Sequence, residues 1–408
     1  MRFIVLLGVV SLFADMTYEG ARSATGPFLL TLGASGAVVG LAAGLGELAG
    51  YAIRLVSGVA ADRTRRYWML TGLGYTVNLL AVPLLALAGG WPVAVALVVL
   101  ERVGKAIRTP SRDVMLSFAS RAVGRGVGFG LHEALDQIGA VAGPLIVAAA
   151  VFRGEGYRAG FAALALPATL ALMALASARL AFPSPTGFEG PPPSAASRAG
   201  AGAAADRPVP GRAFSRAFWL YVAFASVSTM GFAHFQLISF HAKKLGLMAD
   251  AVIPLAFAAA MAADAAAALA AGRGYDRLGL RSLVILPLGT AAAAVLAFSG
   301  GAPAVWGGVL LWGVALGVQE SVMRAAVADL APIQVRGSAY GAFNAAFGAA
   351  WFAGSAAMGL LYDRSPAWAA AFAAVAQLAS LPLLAAAVRT FGKPTGSREH
   401  AGGGQPDA

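Results

Sequence analysis

Residues 125–143 read RGVGFGLHEALDQIGAVAG, and residues 336–354 read RGSAYGAFNAAFGAAWFAG. Gly126, Gly130 and Gly143 of the first stand against Gly337, Gly341 and Gly354 of the second. Another pair keeps nearly the same spacing: GVAADRTRRY at 58–67 against GRGYDRLGLR at 272–281. The offsets are 211 and 214 residues. Two matches at nearly one spacing, each at the equivalent place in its half, mark an internal duplication. The chain is therefore two copies of one unit.

That unit is built for lipid. Of 408 residues, 59% are hydrophobic and 12% charged; a soluble domain carries about twice that charged share. Twelve apolar runs occupy residues 3–31, 35–60, 68–90, 93–118, 124–152, 158–182, 217–243, 250–271, 282–299, 304–330, 337–361 and 366–388. A bilayer core needs about 20 helical residues. The runs are rich in Ala and Gly, which let helix backbones approach closely in a membrane. Residues 185–216 are rich in Pro, Ala, Gly and Ser and read as a flexible linker. The expected fold is an all-α polytopic membrane protein with twelve transmembrane helices. Residues 1–184 and 217–390 form two six-helix units, and 391–408 is a tail.

Net charge is +11, yet the basic residues lie mainly in short turns between runs. The turns after runs 2, 4 and 8 hold Arg63, Arg65 and Arg66; Arg121 and Arg125; and Arg273, Arg277 and Arg281. Those after runs 1, 3 and 9 hold none. This is the positive-inside signal, so both termini are expected in the cytoplasm and no nucleic-acid partner is expected. Arg153, Arg158, Lys243, Lys244 and Arg364 fall on the wrong side. Arg2 followed by the apolar 3–14 has the start of a signal peptide, but no small-x-small cleavage site follows. With no cysteine, disulfides, thiolate metal sites and thiol nucleophiles are excluded.

Gly58-x-x-x-Asp62-Arg63 resembles the loop motif between helices 2 and 3 of the major facilitator superfamily, with Arg65 at the motif's later glycine. Gly272-x-x-x-Asp276-Arg277-Leu278-Gly279 keeps that glycine. Gly130, Gly139, Gly143 and Pro144 resemble the helix-5 motif of the family's proton-coupled exporters, with Val147-Ala148 replacing its last two glycines. Arg102-x-x-Lys105 resembles the helix-4 motif, and GKAIRTPSRD at 104–113 resembles a set of bacterial members. The resemblance covers essentially the whole chain. It implies two pseudo-symmetric six-helix bundles around a cavity that opens alternately to each side. Helices 1, 4, 7 and 10 would line it, and the two Gly-x-x-x-Asp-Arg motifs would latch the outward-open state. It places the chain in a bacterial inner membrane.

A charge at a helix centre costs roughly 2.5–3.5 kcal/mol on insertion scales, so it should face water or a partner. Run 1 carries Asp15, Glu19 and Arg22 on one face, with Tyr18 beside them. Run 4 carries Glu101, Lys105, Arg108 and Arg112 on one face, with Arg102 off it. Run 7 carries His234, Gln236 and His241; run 8 carries Asp264; run 10 carries Gln319, Glu320 and Arg324. Runs 3, 6, 9 and 12 carry almost no interior charge and should face lipid. Run 5 holds His132, Glu133 and Asp136 where its repeat holds Phe343, Asn344 and Phe347, so the fold itself does not demand these acids.

Desolvation raises a carboxyl's pKa and a nearby cation lowers it, so a carboxyl poised between them can carry protons. Asp15, Glu19, Glu133, Asp136, Asp264 and Glu320 are the candidates for that role. Tyr18, Arg22, Glu101, Arg102, Lys105, Arg108, His234, Gln236 and Gln319 are the candidates for the substrate cavity. Gly58, Asp62, Arg63, Arg112, Gly139, Gly143, Pro144, Gly272, Asp276 and Arg277 are structural or gating candidates. Arg112 could pair with Asp62 or cap a helix end, and Glu47, Tyr51 and Arg54 could form a self-contained cluster. Pro110 and Gly26-Pro27 are candidate bend points. The bland readings stand beside these: Glu19 and Arg22 as a local pair, and His234 as a packing histidine. The expected activity is proton-coupled export of a small organic solute. The alternative is import or exchange of an anionic metabolite on the cationic stripe of run 4. No cofactor, metal site or catalytic group is expected, and the protein should be a monomer. GRGVGFG at 124–130 superficially resembles a nucleotide loop but follows no strand and opens a membrane run.

Overall fold

A computed structural model describes residues 1–120, 124–184, 214–332 and 335–391. Most of the expected linker, the tail beyond 391 and Arg121 lie outside them. The described residues hold fourteen α-helices: α1 Arg2–Thr31, α2 Gly36–Thr64, α3 Tyr67–Leu84, α4 Trp91–Ala119, α5 Arg125–Phe152, α6 Gly156–Ala163, α7 Ala165–Ala181, α8 Arg216–Met230, α9 Phe235–Lys244, α10 Val252–Leu278, α11 Ile285–Ala297, α12 Ala302–Leu330, α13 Arg336–Arg364 and α14 Pro366–Phe391. Ten stretches among them are long and apolar enough to cross a membrane. Residues 252–297 count as one stretch although they contain α10 and α11, and the charges of α4 exclude it.

Two expected helices are each broken in two. In 156–181 the break falls at Leu164, where Pro167 has no N–H for the Ala163 carbonyl. In 216–244 residues 231–234 are non-helical. A break in lipid needs its freed groups satisfied, and the Trp312 indole N–H donates to the Ala233 carbonyl at 2.8 Å. Conversely, α1 runs through Gly26-Pro27 and α4 through Pro110. Gly26 also makes a close contact: a Cβ there would collide with the Gln236 carbonyl of α9.

The two Gly-x-x-x-Asp-Arg motifs are not loops either. Each forms the last turns of its helix, α2 or α10. The next turn needs positive φ, supplied by Gly279 at +57° in one copy and by Arg65 at +53° in the other. The motif's glycine thus has a backbone reason, and Arg65 adopts the left-handed region that glycine enters at lowest cost.

Packing repeats the duplication. α1 packs on α5 and α7 as α8 packs on α13 and α14; α2 and α3 pack on α4 as α10 and α11 pack on α12. The halves meet through α2 with α13 and α5 with α10, a reciprocal pair under the duplication, and through α1 with α9. Glycine sets the closest approaches. A Cβ at Gly143 would collide with the Met16 carbonyl of α1, and one at Gly354 with the Met230 carbonyl of α8. Between the halves, Gly36, Gly40 and Gly44 of α2 lie against Gly359, Ser355 and Phe352 of α13. Asp363 accepts the Gly36 and Ala37 N–H groups at 2.7 and 2.8 Å, capping α2 from the other half. At the opposite end, a Cβ at Gly58 would meet only Pro110 of its own half, and Gly337 and Gly341 have open space. The halves are clamped at the end holding the 32–35 turn and parted at the end holding Arg63, Arg65 and Arg66.

Three cations near the clamped end have partners of their own. Arg158 donates to the Ala86 and Ala88 carbonyls at 2.7 Å each. Lys243 pairs with Asp250 at 2.6 Å, and Lys244 lies 5.3 Å from the Tyr362 ring centre.

Replacing Gly143 or Gly354 by Val should cost about 1–3 kcal/mol or more by overpacking, read as a lower melting temperature and loss of a monodisperse peak. Gly341→Ala, in open space, should leave both unchanged. Equal tolerance at all three sites would contradict this packing.

Candidate functional site

Close packing of α1 on α5 aims the acidic stripe of α1 at α4. Asp15 accepts a short hydrogen bond from the Tyr18 hydroxyl. The Lys105 ammonium stands 3.8 Å from the centre of the Tyr18 ring. Behind that ring lies Arg108, fully buried, 5.7 Å from the Tyr18 centre and 4.2 Å from that of Tyr75. None of the three Arg108 guanidinium nitrogens has a hydrogen-bond partner, so ring faces supply its stabilisation. Glu19 pairs with Arg22 at 3.4 Å within α1.

Other charges pair within and between helices. Arg102 of α4 meets Glu101 at 3.3 Å and Glu47 of α2 at 3.8 Å. Asn78 of α3 donates to Glu101 at 2.7 Å. Arg112 binds its neighbour Asp113 at 2.8 Å and the Ser11 hydroxyl at 3.3 Å. On α5, His132 lies 3.7 Å from Asp136. Gln137 donates across the halves to Asp264 of α10 at 3.2 Å.

Many of these side chains line a cavity of about 300 Å³ between the halves, the lower end of small-molecule sites. Eight carboxyl side chains line it: Asp15, Glu19, Glu47, Asp113, Glu133, Asp136, Asp264 and Glu320. Six cations do so: Arg22, Arg54, Arg102, Lys105, Arg112 and Arg324. Among the described residues, Asp15, Glu133, Asp264 and Glu320 have no cationic group within 4.0 Å. Such a carboxyl can change protonation without breaking an ion pair. No group of three or more His, Asp or Glu among the described residues is placed to hold a metal.

The Major Facilitator Superfamily model matches residues 7–355 and 248–406. The chain belongs to the Major Facilitator Superfamily. An uncharacterised protein of Mycobacterium tuberculosis is 47% identical over 365 residues, covering 89% of this chain and 87% of that one. An uncharacterised MFS-type transporter of Methanocaldococcus jannaschii is 33% identical over 140 residues, 34% of this chain and 35% of that one. Among solved structures, the nucleoside transporter NupG superposes with TM-score 0.71 at 12% identity, covering 96% of this chain and all of that one. A POT family transporter in complex with 5-aminolevulinic acid gives TM-score 0.74 at 13% identity, covering 95% and 96%. At such identity these two show the fold alone.

In this superfamily transporter the cavity gathers Asp15, Glu19, Glu133, Asp136, Asp264 and Glu320, along with Tyr18, Arg22, Arg102 and Lys105. It also takes Arg112, which meets Asp113 and Ser11 rather than Asp62. Arg108 stands off it behind Tyr18. Glu101 and Gln236 line a smaller recess beside Tyr18 and Arg22, and Gln319 lines another against α13. His234 stacks on Trp351, centres 5.0 Å apart. His241 lies away from the cavity, 3.0 Å from both the Tyr362 hydroxyl and the Ser299 carbonyl. That carbonyl can only accept, so the Nε2 of His241 donates.

Sequence reasoning did not assign Glu47, Tyr51, Arg54, Asp113, Gln137 and Trp351 to the cavity. Glu47, Tyr51 and Arg54 do share a face of α2, but Glu47 finds its partner on α4. The signal available for Glu47 was a charge far from either end of its apolar run.

Lys105→Met removes the cation over Tyr18 and should lower stability by about 1–2 kcal/mol, with Lys105→Arg retaining most of it. Thermal unfolding of both variants checks this; a melting temperature for Lys105→Met equal to wild type would contradict it.

Proposed function

We propose that this transporter moves a small organic solute by alternating access, coupled to the proton gradient and running as export by antiport. Twelve spans in two six-helix bundles, 1–184 and 217–390, would be joined by the 185–216 linker and followed by the 391–408 tail. The chain would sit as a monomer in a bacterial inner membrane with both termini in the cytoplasm. The basic 63–66 turn then marks the cytoplasmic end, so the parted end faces inward and the clamped end outward.

The observation that carries proton coupling is the set of four cavity carboxyls without a cation. Asp264 adds a reason for coupling to motion, because its hydrogen bond from Gln137 crosses between the halves. A change in its proton or water contacts acts directly on that junction. Glu19, held by Arg22, is better suited as a counter-ion. Glycines 139 and 143 of the exporter-like motif serve the α1–α5 contact, while Gly130 meets open space. The second reading, an anion carrier built on α4, has less support, since Arg102, Lys105, Arg108 and Arg112 already face protein carboxylates or rings. If it holds, bound anions protect the purified protein against heat and Lys105→Ala removes that protection.

In proteoliposomes with an imposed pH gradient, active solutes from a compound library should trigger proton movement, read by an entrapped pH dye. Asp15→Asn, Glu133→Gln, Asp264→Asn and Glu320→Gln are the informative variants. At least one should reduce pH-driven flux below about a twentieth of wild type while remaining folded. Full pH-driven flux in all four would rule out this coupling scheme.

A further inference from the structure

Against α2, α12 and α13 lies a second chamber of about 140 Å³. It shares Tyr51, Arg54, Glu320, Arg324 and Trp351 with the main cavity, so it is an annex of the same space. Its walls differ in kind. Rings run along α13 and meet one from α2: Phe343 and Phe347 have centres 5.3 Å apart, Phe347 and Trp351 5.3 Å, and Tyr51 and Phe347 5.5 Å. These α13 positions stand at the duplication offset from His132, Asp136 and Ala140 of α5. The face that is aromatic in α13 carries a histidine, an aspartate and an alanine in α5.

Among the described residues, the two cations of the annex lack a carboxylate, and the Arg54 guanidinium has only a ring contact, 5.6 Å from the centre of the Tyr51 ring. Arg22, Arg102 and Arg112 of the main cavity each have a carboxylate. Arg54 and Arg324 have none within 4.0 Å among the described residues. The Arg54 Nε and the Trp351 Nε1 are buried donors without an acceptor, and Trp351 is only 5% exposed. Packing of rings explains the wall but not those donors, since a buried donor left unmade is costly.

We propose that the annex binds an aromatic carboxylate, its carboxylate between Arg54 and Arg324 and its ring against Phe347 and Trp351. This rests on the reading of the cavity as the transport site and names the solute class. A guanidinium fork matches a planar carboxylate bidentately. An aromatic amine would place its cation beside two guanidinium groups, with Glu320 the one carboxyl in the lining. An aliphatic acid would leave the rings uncovered. Arg54 belongs to the N-terminal half and Arg324 to the C-terminal half, near the parted end. An anion held by both draws the halves together there, so binding favours closure of the open end.

The test uses the full chain purified in detergent, by thermal shift and tryptophan fluorescence. Benzoate and indole-3-acetate are the probes; acetate, benzylamine and benzyl alcohol are the controls. Saturable stabilisation by both probes and none by the controls is expected. Arg54→Gln and Arg324→Gln should each weaken probe binding at least tenfold, and Trp351→Phe several-fold, while Arg179→Gln on the exposed face of α7 leaves it unchanged. Should Arg54→Gln not fold, Arg54→Lys keeps the charge without the fork and should still lose several-fold. Binding of benzylamine or acetate as tight as benzoate, wild-type affinity in both arginine variants, or no saturable response to either probe would each overturn the proposal. None of these touches the transport reading, which falls only if no solute drives proton movement in the proteoliposomes.

Discussion

An ion in hydrocarbon must find water or an opposite charge, and this chain places fourteen acidic and basic side chains in one cavity within its membrane helices. That constraint organises the molecule. Helices that carry charge turn it inward, and α3, α7, α11 and α14 carry almost none in their interiors. Arg108 shows the limit of the rule: fully buried with no carboxylate within 4.0 Å among the described residues, it is held between tyrosine faces.

Backbone symmetry and chemical asymmetry coexist because they rest on different residues. Gly143 against Met16 and Gly354 against Met230 repeat one helix contact in both halves. The positions around those glycines are free to diverge. In α5 they became Glu133 and Asp136; in α13 they became Asn344 and Phe347. One half thus supplies most of the charge to the cavity and the other an aromatic wall. The clamped end, where glycines of α2 meet α13 and Asp363 caps α2, leaves the opposite end to part.

The duplication, the apolar runs and the inward acids were legible in the sequence because each is a matter of spacing along one chain segment. Partners between helices were not. Nothing in i, i+4 spacing could tell that Glu47 reaches Arg102, that Gln137 reaches Asp264, or that Lys105 sits over Tyr18. The break at 231–234 was hidden because the run contains no proline and its length is that of one span; its repair by Trp312 lies 79 residues away. Arg65 was readable as a missing motif glycine, but the positive φ that the glycine serves needed the backbone.

The central claim is that the halves rock, closing one end as the other opens. The chain has no cysteine, so paired labels can be introduced without background. One pair, at Thr31 and Ala367, reports the clamped end; another, at Thr64 and Ser338, reports the parted end. All four sites are exposed. Pulsed electron spin resonance on labelled protein in liposomes should show the first distance short and the second long at rest. Under a pH gradient with a transported solute, a population should appear in which the first lengthens and the second shortens. Distances that stay fixed, or that lengthen together, during measured transport would contradict the account.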